Sequence, residues 1–421
     1  MQQHRPEHSS RPGEPKAISR RRLGGLLGAM GAAGALGIAG CSSPAAQRNA
    51  TQARPTGSAA PDGVLGANFN GDAEIVTFPE LQEVEASWLR GFYTMRDADK
   101  DDPAKQPQIS KLLEAADRGY GTLLSLKFQY HEKEIPQPGT PAMDEELARV
   151  DKVLPAAMNR MDILTIGNEP FFETRDQDKN EKLNNFYEAV AEHVISYRDR
   201  EFGPNCKTRL YMGALNRLDE PEWHTPATER WMTFVRETPA IEGVDIHPHV
   251  AKPENVQKYL DYVLPKLRPD QKFLATEFSL VLFWEDQMEQ PVSGKFAKQY
   301  GFPADTKVWQ VVDAAIDKRF PQQQWNDFLS MSPWYENHKH FLRNQVQRFR
   351  DTGKLALATY GIAQDDAMVT NWDKNSKPWL FNSLFASKTV QPGPDGLPGR
   401  SYGWIEDFRA LQRESDRRPT R

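Results

Sequence analysis

Two glutamates dominate the chemistry this chain could perform. Glu169 closes the run Asp162-Ile163-Leu164-Thr165-Ile166-Gly167-Asn168-Glu169-Pro170, where a strand-forming stretch stops at a glycine and ends in an amide, a carboxylate and a proline. Proline cannot continue a strand inside a sheet, so Asn168 and Glu169 sit at a strand tip, where parallel α/β folds carry their reactive groups. Glu277 stands near the end of a second such run, Lys272 to Leu280 (KFLATEFSL). Two opposed carboxyls are what glycoside hydrolysis needs: one protonates the leaving oxygen, the other attacks the anomeric carbon or activates water. With roughly 5 Å between them no water fits in between, and the mechanism is retaining.

Other polar groups fall in similar places. Arg90 lies inside the apolar strand pattern of Ser87 to Met95 (SWLRGFYTM) and needs a buried acceptor, which a carboxylate at the mouth would provide. His247 and His249 are two apart in the strand Gly243 to Val250, so they share a face and could chelate a metal. The further ligands that metal-dependent barrel hydrolases carry are not evident, so neither a metal nor a cofactor is expected.

Positioning these groups requires a regular scaffold, and the chain alternates strand and helix patterns from Val64 onward. Strands are expected over Val64 to Asn70, Ser87 to Met95, Thr122 to Phe128, the run ending at Glu169, Arg209 to Leu215, Gly243 to Val250, Lys272 to Leu280 and Leu355 to Tyr360. Helical spacing marks Ile109 to Arg118, Met143 to Met158, Leu183 to Arg200, Thr228 to Glu237, Val256 to Leu267, Trp334 to Arg350 and a closing helix at Trp379 to Ala386. Eight strands with helices between them predict an α/β fold of the (β/α)8 TIM-barrel type, in which the ends of strands four and seven face each other across the mouth. The rival is an open doubly wound sheet, disfavoured because no Gly-rich phosphate loop follows the first strand. The extended loop between strands seven and eight, residues 281 to 333, is weakly periodic and contains Trp284, Trp309 and Trp325; it reads as a lid or cleft wall, or as a padded surface excursion with its tryptophans buried locally.

At this point the motifs meet a family pattern. Gly167-Asn168-Glu169-Pro170 closing a fourth strand and Thr276-Glu277-Phe278 closing a seventh resemble clan A of the glycoside hydrolases, barrel enzymes that include many cellulases, mannanases, xylanases and β-glycosidases. The resemblance runs from about Val64 to Ala386. It implies that Glu169 is the acid/base, Glu277 the nucleophile, Asn168 a donor to the sugar 2-hydroxyl, Arg90 a support for the nucleophile and His247 a residue lining the site, with His249 beside it. Two departures stand out: Ser279 replaces a common glycine two positions after the nucleophile, and Tyr360 and then Trp372 are offered where the clan often has a sugar-stacking tryptophan at the end of strand eight.

The bulk properties fit this reading. Of 421 residues, 38% are hydrophobic and 26% charged, as in ordinary globular proteins. Residues 1–40 read as a twin-arginine signal peptide: Ser19-Arg20-Arg21-Arg22-Leu23-Gly24-Gly25 and a Gly/Ala/Leu run lead to Ile38-Ala39-Gly40-Cys41, which resembles a lipoprotein lipobox. A spanning helix is the alternative, but the seven glycines of that run make a poor anchor. Cleavage before Cys41 removes six Lys/Arg and two Asp/Glu, moving the formal charge from -5 to -9, which speaks against nucleic acid as a partner. With Cys41 lipidated, Cys206 has no disulfide partner. Residues 41–62 are a Ser/Ala/Pro/Thr-rich tether spanning on the order of 25 Å. The expected organisation is therefore signal peptide, tether, catalytic barrel over 63–390 and a C-terminal extension over 391–421. The expected function is an extracytoplasmic, membrane-anchored retaining glycosidase acting on a carbohydrate substrate; the alternative is a non-catalytic carbohydrate-binding lipoprotein on the same barrel.

Overall fold

The computed structural model describes residues 60–416; Cys41, the signal segment and nearly all of the tether lie outside them. Eight parallel strands close into a barrel in chain order: β1 (Val64–Asn68), β2 (Trp88–Thr94), β3 (Gly121–Lys127), β4 (Ile163–Ile166), β5 (Arg209–Leu215), β6 (Ile241–Ile246), β7 (Lys272–Ala275) and β8 (Leu355–Gly361). Closure is made by β1 on β8, in register from Val64 opposite Leu357 to Asn68 opposite Gly361. The expected (β/α)8 barrel is thus the fold, and closure removes every exposed sheet edge.

Side-chain alternation along the strands sorts the chain into two cores. Trp88, Leu123, Ile163, Tyr211, Leu274 and Leu357 form a small apolar cluster near the strand starts, filling one end of the barrel. A far larger apolar layer lies between the barrel and its helices. Above the apolar plug the inward positions turn polar, with Arg90, Ser125, Asp245, Thr276 and Thr359 all buried.

The helices begin where local chemistry dictates. Thr140 and Thr225 cap Pro141–Ala157 and Pro226–Glu237 by accepting from the backbone N–H of Met143 and Thr228, each with proline in the first turn. Thr77 and Glu80 form a reciprocal capping box on Phe78–Glu83.

Three expectations need correction. Trp379–Asn382 is a single 3-10 turn rather than a closing helix, because Ser383 pairs with Gly361 and draws the following chain alongside β8. The closing helix is Trp404–Asp416, inside the stretch expected to extend beyond the barrel: Trp404 is buried, and Gln412 Nε2 donates to the Leu65 carbonyl at 2.7 Å. The expected helix Trp334 to Arg350 is two, Pro333–Glu336 and Phe341–Asp351. Residues 281–333 fold into Val281–Glu285, Gly294–Tyr300, Val308–Asp317 and Gln322–Ser330. Trp284 and Trp325 are buried there, and Trp325 stacks on Phe381 at 6.0 Å. The segment is a packed helical module that buries Trp284 and Trp325 locally, in line with the second of its two readings.

Candidate active site

The mouth of the barrel gathers the residues singled out from the sequence. Gly167 makes the turn after β4 possible: its φ is +100°, and a Cβ there would lie 2.1 Å from the Gly213 carbonyl oxygen on β5. Pro170 then opens the short helix Pro170–Glu173 with Glu169 as its N-cap residue. That backbone turn aims Asn168 and Glu169 into the mouth. Glu277 follows the end of β7 by two residues, in a segment still tied to the loop after β6 by the bridge between His249 and Ser279.

Arg90 is fully buried and organises the floor. Its Nη1 donates to Glu277 Oε1 at 2.5 Å and its Nη2 to Asn168 Oδ1 at 2.6 Å. Ser125 Oγ accepts from the same guanidinium at 3.3 Å. His247, also fully buried, bridges the two halves of the site: Nδ1 lies 3.1 Å from Glu169 Oε1 and Nε2 2.8 Å from Thr276 Oγ1, whose hydroxyl in turn donates to Asp245. His249 Nε2 is 3.7 Å from Glu277 Oε2, and its Nδ1 is 2.8 Å from Ser279 Oγ. Ser279 is therefore no idle departure, because it orients His249.

The electrostatics divide the two carboxylates. Burial alone would raise Glu277, but His247, Arg90 and His249 hold it well below the ordinary carboxylate range. Glu169 is also lowered: burial opposes this, while the hydrogen bond and charge of His247 outweigh both burial and the repulsion from Glu277. Burial likewise disfavours the charged form of His247, yet Glu277, Asp245 and Glu169 push it up to about 10, so the imidazolium is the resting state. A raised pKa is therefore not found on Glu169 itself; the nearest proton resides on His247, one hydrogen bond away. Against burial, the charge of Glu277 does most to hold that proton, and Asp245, 3.7 Å from His247 Nε2, adds to it.

Several contributors were not legible from motif reading. Asn216, just past β5, donates to Glu169 Oε1 at 2.7 Å. Its signal was an amide directly after a strand, one residue closer to its strand end than Asn168 is to its own. Glu173 accepts from Asn168 Nδ2 at 2.9 Å and pairs with Lys127 at 3.3 Å; complete burial pushes it up to about 7. Through these bonds both ends of the Asn168 amide are fixed, the oxygen by Arg90 and the nitrogen by Glu173.

The cleft above the carboxylates has a volume of ≈ 600 Å³, with Phe92, Phe172 and Trp379 among its aromatic lining and Lys127, Arg217 and Lys377 among its cations. Val281 and Leu282 represent the module between β7 and β8 in that lining. Neither aromatic side chain expected to stack on a sugar is there. Tyr360 is buried against Phe278 and Trp404, since its place on β8 points it outward into the helical layer. Trp372 is half-buried and donates through Nε1 to the Trp309 carbonyl at 3.1 Å. Trp379 stands in the cleft instead, its ring edge-on to His249 at 5.0 Å.

No family model and no curated protein matches the chain. Among solved structures it is similar to a GH10 endoxylanase retrieved from a sugarcane soil metagenome, at 11% identity and a TM-score of 0.47, over 83% of this chain and 97% of that one. The endo-1,4-beta-xylanase XylE of Penicillium canescens aligns at 11% identity and a TM-score of 0.46, over 83% and 95% of the two chains. The GH53 catalytic domain of Ignisphaera aggregans aligns at 12% identity and a TM-score of 0.43, over 85% and 98%. The barrel assignment itself stands on this chain's own strand pairing.

Proposed function

We propose that this chain is a retaining glycoside hydrolase, with Glu277 as nucleophile and Glu169 as acid/base. The observation that carries the reading is the pair of facing carboxylates, each presenting an oxygen within a cluster no wider than 4.8 Å. That spacing is in the range of the roughly 5 Å separation of double displacement and short of the wider one that inverting chemistry uses. Flat aromatic surfaces on Phe92, Phe172 and Trp379 suit the apolar faces of sugar rings.

The first step then runs as follows. Glu277 attacks the anomeric carbon, the bond to the leaving oxygen breaks, and that oxygen takes a proton through Glu169. The proton comes from His247. Apart from burial, which works against it, the charge of Glu277 is the largest factor keeping His247 protonated, and forming the glycosyl ester removes that charge. The proton is thereby released towards Glu169 as the leaving group needs it. In the second step water attacks the anomeric carbon, its proton returns to the Glu169–His247 pair, and Glu277 regains its charge.

The location belongs to the same proposal: an extracytoplasmic enzyme exported by the twin-arginine route and held to the membrane by lipid on Cys41, supported by the sequence around residues 19–41. The catalytic part is tested on the soluble domain with aryl glycosides and unactivated polysaccharides. Glu277→Ala abolishes turnover, and azide restores it with an inverted glycosyl azide as product. Glu169→Ala harms substrates with poor leaving groups most. Near-wild-type hydrolysis of an unactivated substrate by either variant overturns the assignment and leaves a carbohydrate-binding barrel.

A further inference from the structure

We propose that the same mouth is a binding site for a divalent transition metal of the zinc type, formed by His247 Nδ1, His249 Nε2, Glu169 and Glu277, and that the ion blocks the cleft. The four groups each offer a ligand atom, and these atoms lie within 4.8 Å of one another. Two imidazoles and two carboxylates match the borderline-soft, four-coordinate preference of Zn2+.

The arrangement around the ligands is what makes this more than a cluster. A metal-binding histidine carries its proton on the ring nitrogen that faces away from the metal, held there by an acceptor. His247 Nε2 faces Thr276 Oγ1 at 2.8 Å, and the Thr276 hydroxyl is committed as a donor to Asp245, so it accepts from the imidazole. That leaves Nδ1 as the ligating atom, directed at Glu169. His249 Nδ1 lies 2.8 Å from Ser279 Oγ, leaving Nε2 directed at Glu277 Oε2. Arg90 engages the other oxygen, Oε1, and so orients Glu277 without occupying the ligand atom. Both histidines thus have their outer partners in place before any ion arrives.

Binding requires two adjustments. The ligand atoms must close to the spacing set by bonds of about 2.0–2.2 Å, a movement of roughly 1 Å for the widest pair, which the partly exposed Glu169 and Glu277 can supply. The proton on His247 Nδ1 must leave as the ion binds, because only the neutral imidazole is a ligand. Four protein ligands leave no open position for a metal-bound water, so the ion obstructs the space between Glu169 and Glu277 rather than providing chemistry there.

The test uses the folded full-length chain and Co2+ and Zn2+ as probes, with no need for a substrate. Titrated Co2+ should give the intense visible bands of a four-coordinate complex at one ion per chain, and Zn2+ should bleach them. His249→Ala should weaken Zn2+ binding at least tenfold by calorimetry, and Glu277→Gln should do likewise; circular dichroism and Tm establish that each variant is folded. Ser279→Ala, which leaves all four ligands, should give a smaller loss. His193→Ala, on the outer helix Glu181–Glu201, is the control and should change nothing. Absence of a four-coordinate Co2+ spectrum, or a stoichiometric site that survives intact in both His249→Ala and Glu277→Gln, overturns the proposal. Because the readout is metal binding, its failure is distinct from failure of the glycosidase reading.

Discussion

Arg90 offers the sharpest physical test, because it is fully buried and pairs with a carboxylate that would otherwise be stranded. Arg90→Met keeps the apolar volume but removes the donors to Glu277, at 2.5 Å, and Asn168, at 2.6 Å. With charge centres about 4 Å apart, an effective dielectric near 20 gives an interaction of about 4 kcal/mol. That agrees with the loss of about 3–5 kcal/mol when one partner of a buried pair is removed. A barrel of this size loses roughly 0.7 kcal/mol of stability per degree near its midpoint, so Tm should fall by about 4–7 °C at pH 7. The pH dependence has a definite sign. Glu277 is depressed in the folded state, so its stabilising contribution is present above the ordinary value of 4.5 and is lost as pH falls through the folded value. Without Arg90 the folded value rises, and the Tm gap between variant and wild type narrows as pH drops from 7 towards 3. Calorimetry on wild type, Arg90→Met, Glu277→Gln and the double variant closes the cycle, with a coupling of at least about 2 kcal/mol expected. A Tm within about 1 °C of wild type at pH 7, or strictly additive single effects, would refute the reasoning.

Glu173 is raised to about 7, so between pH 4.5 and 7 the folded protein retains a proton that the unfolded chain has released, and stability falls as pH rises through that window by up to about 3 kcal/mol. Glu173→Gln removes this dependence; the Tm difference between variant and wild type should grow in the variant's favour from pH 5 to pH 8, and a constant difference would count against it. Trp325→Ala in the helical module should cost about 3–5 kcal/mol while leaving the Arg90–Glu277 pair intact, and a Tm loss below about 1 °C would show the module is not part of the core. Cys41→Ser should release the exported protein from membranes or block its processing; normal cleavage with continued membrane attachment would exclude a lipid on that thiol.

The local code of this chain carried most of the barrel. Strand-forming runs ending in polar tips, capped helices and their alternation are properties of short windows, so β1 to β8 and the placement of Glu169 and Glu277 at one mouth could be read from the sequence, and Arg90 announced itself as a charge inside an apolar strand. What the sequence could not decide depends on groups brought together from distant windows. Whether an aromatic residue after β8 faces the cleft depends on how the chain leaves the strand, so Trp379 takes the place that Tyr360 and Trp372 were expected to share. The ionisation of Glu169 follows from its burial, from His247 just after β6 and from Glu277 after β7, neither of which is near it in sequence. The module between β7 and β8 looked irregular because its short helices have too few turns for periodicity to emerge, and Trp284 and Trp325 also pack on Phe381, far along the chain. Charge coupling and burial are sums over three-dimensional neighbours, and only the closed barrel sets which neighbours those are.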